Sequence, residues 1–261
     1  MLNIEKLKAK RGMFELSIES LNVSDTNMCL IIGPNGGGKT TFLKSLAGLL
    51  DYNGNIKLNG VDVSSLDFKS RAKMFAYLPQ NISIPEFSIK DFLITGRLPY
   101  TNLFSYYSRD DWDKVYNVAE RVDVIKYMNR DLLSLSQGEL QRVMLAKVFI
   151  QSPKVLLLDE PTNALDIGFK ERIKEQIYGY LDSNPEAMVL ISTHEPEFFN
   201  DKQNKTLMLK SGNIFKFGDF KSVYNEQNKK ELFGLSTTMG GSSSFSGQPE
   251  HALTVVFSRN S

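Results

Sequence analysis

A glycine-rich segment that ends in a lysine and two threonines is the clearest candidate for chemistry in this sequence. It follows the short apolar run at residues 28–32 and precedes residues 40–50, whose apolar side chains recur at helical spacing. The segment consists of Gly33, Pro34, Asn35, Gly36, Gly37, Gly38, Lys39, Thr40 and Thr41. The pattern G-x-x-x-x-G-K-[ST] between a buried strand and a helix indicates a phosphate-binding loop.

Each residue type in this loop has a physical reason. Glycines let the backbone curl so that successive N–H groups point inward at phosphate oxygens. The helix that follows adds its positive end and its unpaired donors. Lys39 is expected to reach the β- and γ-phosphates, and the Thr40 hydroxyl to ligate Mg²⁺. The loop therefore predicts binding of ATP with Mg²⁺.

Two carboxylates, Asp159 and Glu160, directly follow the apolar residues 155–158. At the carboxyl end of a core strand beside the phosphate loop, Asp159 can hold Mg²⁺ through its water shell. Glu160 can then orient and partly deprotonate an attacking water. Taken alone, a strand that ends in Asp-Glu is more often an ordinary edge of a fold. The phosphate loop upstream favours the catalytic interpretation.

A second helix begins at a serine and a glycine. Residues 135–139 read LSQGE and precede a helical pattern at residues 140–151, which makes Ser136, Gln137 and Gly138 a second anion site at a helix mouth. One NTPase needs only one cradle for a γ-phosphate, so we expect this mouth to serve the nucleotide of a neighbouring copy. The alternative is a capped helix without a ligand.

The arrangement of apolar residues predicts the elements that position these groups. Alternation along residues 2–21 indicates two half-buried strands with a turn near Arg11-Gly12. The short apolar runs at 28–32, 155–158 and 188–191 alternate with helical patterns, as in parallel α/β sheets. A late hairpin is expected with its turn at Gly212-Asn213.

The predicted fold class is α/β, with a P-loop NTPase core built on a parallel sheet, an antiparallel β subdomain and a helical subdomain. Residues 1–235 are expected to form the ATP-binding domain, with the helical subdomain at about residues 88–151. Residues 236–261 are rich in Ser and Gly and are expected to form a mobile tail.

Composition narrows the functional class. The formal net charge is +1, so no global field attracts nucleic acid or an acidic membrane surface. The single cysteine, Cys29, lies in an apolar run and fits a reducing compartment. No apolar stretch approaches the roughly 20 residues of a membrane-spanning helix. We therefore expect a soluble, cytoplasmic protein whose membrane association depends on a protein partner.

The motifs GPNGGGKTT (33–41), LSQGE (135–139) and LLLDEP (156–161), together with His194 after a core strand, resemble the nucleotide-binding subunit of ATP-binding-cassette (ABC) transporters. The resemblance covers roughly residues 1–235, and the three motifs in this order are highly specific. It implies a homodimer in which two ATP molecules are sandwiched between the subunits.

The resemblance also implies roles for three further residues. Gln80 would link the metal and the attacking water to the membrane subunit, Asp166 would lie in the loop that touches the opposite subunit, and His194 would contact the γ-phosphate. Each residue has an alternative in isolation. Gln80 would be an ordinary turn residue, Asp166 the cap of the helix that begins at Ile167, and His194 a hydrogen-bonded buried histidine.

The sequence departs from the family pattern in three ways: in the phosphate loop, in the signature and at the adenine contact. Gly37 and Thr40 replace the more usual Ser or Ala and Ser, and Thr40 keeps its hydroxyl. Gln137 stands where glycine is commoner in the signature. The aromatic residue that usually stacks on adenine has no direct counterpart at residues 10–12, so either Arg11 or Phe14 is the candidate for the adenine contact.

Residues 96–100, 103–104, 108–111 and 161–168 resemble the importers of iron-siderophores, haem and cobalamin within this family. The resemblance implies partners: integral membrane permease subunits, docked near Gln80 and residues 82–107, and indirectly a substrate-binding protein. It implies a peripheral position on the inner face of the cell membrane. The alternative function is a soluble ABC-type ATPase with a role on nucleic acid, ribosomes or cluster assembly.

Overall fold

A computed structural model of the chain describes residues 1–81, 84, 86–101, 106–163, 165–200 and 204–234. The strands are β1 Leu2–Arg11, β2 Phe14–Val23, β3 Met28–Ile32, β4 Tyr52–Leu58, β5 Val61–Asp62, β6 Phe75–Leu78, β7 Val155–Asp159, β8 Met188–Ser192, β9 Lys205–Lys210 and β10 Asn213–Asp219. The helices are α1 Lys39–Ala47, α2 Phe68–Met74, α3 Ile89–Ile94, α4 Arg109–Arg121, α5 Gln137–Ile150, α6 Ile167–Ser183, α7 Phe220–Val223 and α8 Glu226–Phe233. Short 3₁₀ helices occupy Val63–Ser65, Thr95–Tyr100, Ile125–Tyr127, Leu132–Ser134 and Pro196–Phe199.

Some of the sequence predictions fall on residues outside this description. They are the tail at 236–261, the domain boundary at 235, Ala164, and residues 82, 83, 85 and 102–105 of the predicted permease-docking region.

The main sheet has six strands in the order β10-β9-β3-β8-β7-β6, and only β10 runs antiparallel to its neighbour. Every residue of β3, β7 and β8 is buried, which explains why these strands read as continuous apolar runs without alternation. The parallel core is therefore confirmed. The edge strand β6 escaped sequence reasoning because it has four residues and follows directly after α2.

A second, antiparallel sheet has the order β2-β1-β4-β5, as the fold class predicted. The hairpin between β1 and β2 turns at Gly12-Met13, one residue later than expected, because Arg11 still pairs with Phe14. Helix α1 lies between the two sheets, and its apolar residues Phe42, Leu43 and Leu46 join a core shared with both. The helix that carries the phosphate loop is thus clamped on two sides.

Helices α3, α4 and α5 cover the opposite face of the main sheet. Ser108 caps α4 in a reciprocal capping box with Asp111, an arrangement that a serine three residues before an acidic residue favours. The buried residues of α5 join the same core as Leu156 of β7 and Val189 of β8. In the described ranges no helix is long and apolar enough to cross a membrane.

The hairpin of β9 and β10 holds the phosphate loop. Its turn lies at Ser211-Gly212 and not at Gly212-Asn213, because β10 already begins at Asn213. The Gly212 N–H donates to the Gly37 carbonyl oxygen at 3.1 Å, and the Gly212 carbonyl accepts from the Ser17 N–H at 2.7 Å. A methyl group on Gly212 would lie 2.1 Å from the carbonyl oxygen of Glu15. Glycine is required here by close backbone approach as well as by a φ of +79°.

This contact yields a stability prediction. Gly212→Ala should lower the free energy of unfolding by about 1–3 kcal/mol more than Gly60→Ala does. Gly60 is the matched control because its φ is also positive, at +82°, while no atom lies within 4 Å of an added Cβ. Urea unfolding of both variants measures the difference, and equal losses would contradict the proposed contact.

Candidate active site

The phosphate loop leaves the carboxyl end of β3 and enters α1. Gly38 is the N-cap of α1 with a φ of +112°, and its carbonyl accepts from the Phe42 N–H at 2.9 Å. The helix starts at Lys39, one residue earlier than predicted, and ends at Ala47 because Gly48 adopts a left-handed conformation. The first N–H groups of α1 therefore face the cleft as potential anion donors.

The Lys39 ammonium lies inside the loop. Nζ donates to the carbonyl oxygen of Gly33 at 2.9 Å and to that of Pro34 at 3.4 Å, and the side chain is only 6% exposed. Burial lowers the pKa of Lys39, while the carboxylates of Glu160 and Asp159 oppose that shift. A positive charge with little hydration is thus held where the loop donors converge, and an entering phosphate would gain strongly from it.

Asp159 at the end of β7 is 1% exposed and fixed through both oxygens. Ser192 Oγ donates to Oδ1 at 2.6 Å, and the Tyr77 hydroxyl donates to Oδ2 at 3.0 Å. Burial, followed by the charge of Asp159, raises the pKa of Tyr77, so this phenol remains a donor. These two hydrogen bonds hold the carboxylate in one orientation.

Glu160 is the centre of a hydrogen-bonded group at the mouth of the loop. Gln80 Nε2 donates to Oε2 at 2.6 Å, His194 Nε2 lies 2.8 Å from Oε1, and Asn163 Nδ2 donates to Oε2 at 3.3 Å. Lys39 Nζ lies 3.9 Å from Oε1. The structure therefore brings together three residues that were predicted from separate parts of the sequence: Gln80, Glu160 and His194.

The backbone at Glu160 is strained. Its φ is +50°, in the left-handed region that non-glycine residues seldom adopt. The conformation is held because the Glu160 N–H donates to both the carbonyl and the hydroxyl oxygen of Ser192, at 3.2 and 3.0 Å. Such strain costs about 1–3 kcal/mol and is common at functional sites. It turns the Glu160 side chain from the strand toward the cleft.

The cleft has a volume of about 820 Å³. Eleven of its lining residues were predicted from sequence: Pro34, Asn35, Gly36, Gly37, Gly38, Lys39, Thr40, Thr41, Gln80, Glu160 and His194. Both adenine candidates line it too. Arg11 is exposed and Phe14 is half-buried, with its ring against Gly38. The geometry thus keeps both adenine candidates open.

Ser136, Gln137, Gly138 and Asp166 are absent from the described lining of this cleft. Ser136 caps α5 in a capping box with Glu139, whose pKa falls to about 2 mainly through hydrogen bonds from the Ser136 backbone and hydroxyl. Asp166 caps α6 by accepting from the Phe169 N–H at 3.0 Å. Within one chain Ser136 and Asp166 therefore act as helix caps, which was the alternative interpretation of each residue. Ser136, Gln137 and Asp166 nevertheless remain exposed.

The donor set fits Mg²⁺ held together with a nucleotide. Thr40, Asp159 and Gln80 offer hydroxyl, carboxylate and amide oxygens, which suit a hard cation. No group of three or more His, Cys, Asp or Glu residues in the described part of the chain could hold a metal ion by itself. A site with so few protein ligands is typical of Mg²⁺ whose remaining ligands are phosphate oxygens and water.

Three residues of the site escaped sequence reasoning: Tyr77, Asn163 and Ser192. Ser192 had a detectable signal, since it is a polar residue at the end of the buried strand β8, directly opposite Asp159 in the parallel register. Tyr77 lies on the strand that was not predicted. Asn163 belongs to the turn after Glu160 and carries no pattern of its own.

Comparison with known proteins identifies the family. A family model described as ABC transporter matches residues 16–163. The chain belongs to the ABC transporter family. Members of this family bind and hydrolyse ATP, and this chain is an ATPase. The ABC fold accounts for the parallel core, the antiparallel sheet and the helical layer described above.

Individual relatives of this ABC ATPase cover most of its length. It is 34% identical to a molybdate/tungstate import ATP-binding protein of Methanocaldococcus jannaschii, over 90% of this chain and 77% of the relative. It is 34% identical to an iron chelatin transport ATP-binding protein of Helicobacter pylori, over 75% and 78%. It is 30% identical to a hemin import ATP-binding protein of Burkholderia ambifaria, over 88% and 92%.

Among solved structures, a metal-chelate type ABC transporter in an inward-facing conformation is similar to this ABC ATPase. The TM-score is 0.76 at 25% sequence identity, and the match covers 89% of this chain and 88% of that chain.

The buried ammonium leads to a binding prediction. Lys39→Ala should weaken ATP binding by at least about 100-fold, because a desolvated charge that meets the phosphates is removed. Lys44→Ala, in the last turn of the same helix, should leave the affinity within about twofold. Calorimetry with ATP measures both variants, and unchanged affinity in Lys39→Ala would refute the assignment of the loop.

Proposed function

We propose that this chain is the ATP-hydrolysing motor subunit of an ABC importer for iron-siderophore, haem or cobalamin. The observation that carries the hydrolytic part of this proposal is the Glu160 carboxylate, held by Gln80 and His194 beside the Lys39 ammonium. A carboxylate fixed at the mouth of a phosphate loop is suited to hydrolysis and not only to nucleotide binding.

In this proposal the residues of the loop bind the triphosphate. The N–H groups of the loop and of α1 donate to phosphate oxygens, and Lys39 Nζ exchanges the Gly33 carbonyl for the β- and γ-phosphates. Thr40, Asp159 and Gln80 would hold Mg²⁺, which when bound neutralises charge on the phosphate oxygens. Asp159 is suited to an indirect role because Ser192 and Tyr77 already occupy its two oxygens.

Glu160 serves as the general base. As the oxygen of water bonds to the γ-phosphorus and the bond to the β–γ bridging oxygen breaks, the Glu160 carboxylate accepts a proton from that water. His194 and Gln80 orient the carboxylate through the hydrogen bonds described above. When the γ-phosphate enters, His194 is positioned to donate to it instead.

A second copy of the chain completes the site in this proposal. Ser136 and Gln137 lie exposed at the mouth of α5, and Asp166 lies exposed at the start of α6. None of the three contributes to the phosphate-loop cleft within the described part of its own chain. A homodimer would place the mouth formed by Ser136, Gln137 and Gly138 of one subunit over the ATP held by Lys39 of the other.

The proposed contact with the permease involves residues that follow Gln80 along the chain. The described residues Phe87, Leu98 and Tyr106 are large hydrophobic side chains with exposed fractions of 49%, 52% and 99%. Exposed apolar surface of this kind is typical of a protein interface. Permease subunits docked there would hold the chain on the cytoplasmic, inner face of the cell membrane, and a substrate-binding protein would act on the permease from the other side.

Relatives with import or transport in their names support the importer. Two of them concern hemin and iron chelatin. A molybdate or tungstate importer is the second candidate, because a relative with that name is 34% identical over 90% of this chain. In the described residues no observation favours a soluble ATPase that acts on nucleic acid or ribosomes, and the net charge of +1 opposes it.

Replacement of the proposed base separates binding from hydrolysis. Glu160→Gln should retain ATP binding, lower kcat by about 100-fold or more and accumulate an ATP-dependent dimer. Glu19→Gln, an exposed change on β2, is the control and should hydrolyse ATP normally. ATPase assays and sizing chromatography with ATP test both variants. A fully active Glu160→Gln would remove Glu160 from the mechanism.

The partner and the substrate are tested together. The chain should copurify with an integral membrane protein, and ATPase activity of the reconstituted complex should rise severalfold with the substrate-binding protein and one of an iron chelate, haem or a corrinoid. Stimulation by molybdate or tungstate alone would favour the second candidate. Copurification with RNA or ribosomes and no membrane protein would overturn the transport assignment.

A further inference from the structure

A second cavity lies at the junction of the helical layer and the core. Its volume is about 410 Å³, and residues of α4, α5 and α6 line it. In the described part of the chain it shares no lining residue with the phosphate-loop cleft. The function proposed above therefore leaves this cavity without a role.

The walls of this cavity carry an excess of positive charge. Four cationic side chains line it: Lys114, Arg121, Arg142 and Arg172. Two carboxylates, Asp123 and Glu175, line it as well, which leaves two positive charges unbalanced. Lys114 is half-buried, and burial together with the nearby Arg97 and Arg121 lowers its pKa. Like charges crowded in a concave site repel one another and attract an anion.

Two buried polar atoms of the lining residues lack partners. Arg142 is 3% exposed and donates Nη1 to Asp123 Oδ2 at 2.9 Å, yet its Nε has no hydrogen-bond partner in the described structure. Gln176 donates Nε2 to the Val122 carbonyl at 3.2 Å, which fixes the amide orientation. Its Oε1 is buried and likewise has no partner among the described residues.

Each buried polar atom without a hydrogen-bond partner lowers the stability of the folded protein by roughly 1–3 kcal/mol. A ligand that supplies such a partner therefore binds more favourably. Both residues line the cavity, so a ligand bound there can supply the missing partner to one charged donor and one neutral acceptor. A ligand that satisfies both must be an anion that also carries a hydrogen-bond donor.

We propose that this cavity is a binding site for inorganic hydrogen phosphate. The dianion balances the two excess charges, and three of its oxygens accept from Lys114, Arg142 and Arg172. The remaining P–OH donates to Gln176 Oε1. Sulfate has the same charge and shape but no proton to donate. A phosphate ester loses its last proton near about pH 6, so at pH 8 it also lacks the donor.

The position of the site suggests what it acts on. The guanidinium carbons of Arg142 and Arg172 lie 5.8 and 5.7 Å from the centre of the Phe169 ring. That ring packs so closely on Gly138 that an added Cβ would approach it to 2.7 Å. A phosphate that bridges Arg142 of α5 and Arg172 of α6 therefore fixes the helix mouth at Ser136 relative to α6.

Equilibrium dialysis with radiolabelled inorganic phosphate tests this assignment. The full-length Lys39→Ala variant is used without nucleotide at pH 8, so that the phosphate loop contributes little. We expect about one phosphate bound per chain. Sulfate and glycerol phosphate should each compete at least about tenfold more weakly than phosphate. This difference in affinity corresponds to the loss of one hydrogen bond to a charged group.

Further variants in the same background locate the bound ion. Lys114→Gln and Arg172→Gln should each weaken phosphate binding about tenfold, whereas Arg109→Gln, an exposed change on the same helix as Lys114 with its side chain 93% exposed, should not. Gln176→Leu should abolish the preference over sulfate while sulfate still binds. Thermal unfolding verifies that each variant is folded.

Several results would overturn the proposal. They are the absence of bound phosphate in Lys39→Ala, an equal loss in Arg109→Gln, or sulfate competing as well as phosphate before Gln176 is changed. None of these results bears on the ATPase assignment, which is tested separately at Lys39 and Glu160.

Discussion

The carboxyl ends of three parallel strands meet at one edge of the main sheet, and each delivers a polar group to the same small volume. Strand β3 leads to Lys39, β7 ends at Asp159 and β8 ends at Ser192. Strand β8 lies between β3 and β7. The Ser192 hydroxyl at its end therefore donates to Asp159 Oδ1 and accepts from the Glu160 N–H. Ligand sites at the carboxyl ends of parallel strands are common for this geometric reason.

This arrangement concentrates charge that the surrounding protein has to support. A buried ammonium at Lys39 is tolerated because carbonyl oxygens of Gly33 and Pro34 accept from it and the Glu160 carboxylate lies nearby. The left-handed backbone of Glu160 is tolerated because Ser192 holds its N–H. The protein's own groups thus hold the site in place, which reduces the reorganisation that catalysis requires.

Sequence alone predicted the parts of the fold whose signals are local. The buried runs of β3, β7 and β8, the phosphate loop and the cap of α4 follow from short patterns, and the motif order gave the family. Strand β6 and the tyrosine it carries were missed because four residues contain too little periodicity to identify. The hydrogen bond between Ser192 and Asp159 forms because β7 and β8 are neighbours in the sheet. The strand order cannot be read from either strand's own residues.

The candidate site was predictable to a similar degree. Glu160 is predicted from its place after a buried strand, the family resemblance implies Gln80 and His194, and the three residues meet within hydrogen-bonding distance. Ser136, Gln137, Gly138 and Asp166 do not join them, since within one chain Ser136 and Asp166 cap helices and the mouth of α5 opens elsewhere. Spacing along the sequence identifies a helix mouth but does not reveal which nucleotide it serves.

The backbone hydrogen bond from Gly212 to Gly37 joins the turn between β9 and β10 to the phosphate loop, which lies far earlier in the sequence. Strand β9 also pairs directly with β3, so the strand that carries the loop lacks one neighbour until residues 205–219 have been made. During synthesis on a ribosome, the emerging amino-terminal half would hold a complete glycine-rich motif without its final shape. The loop would then reach its final shape, and with it the ability to bind a nucleotide, only late in translation.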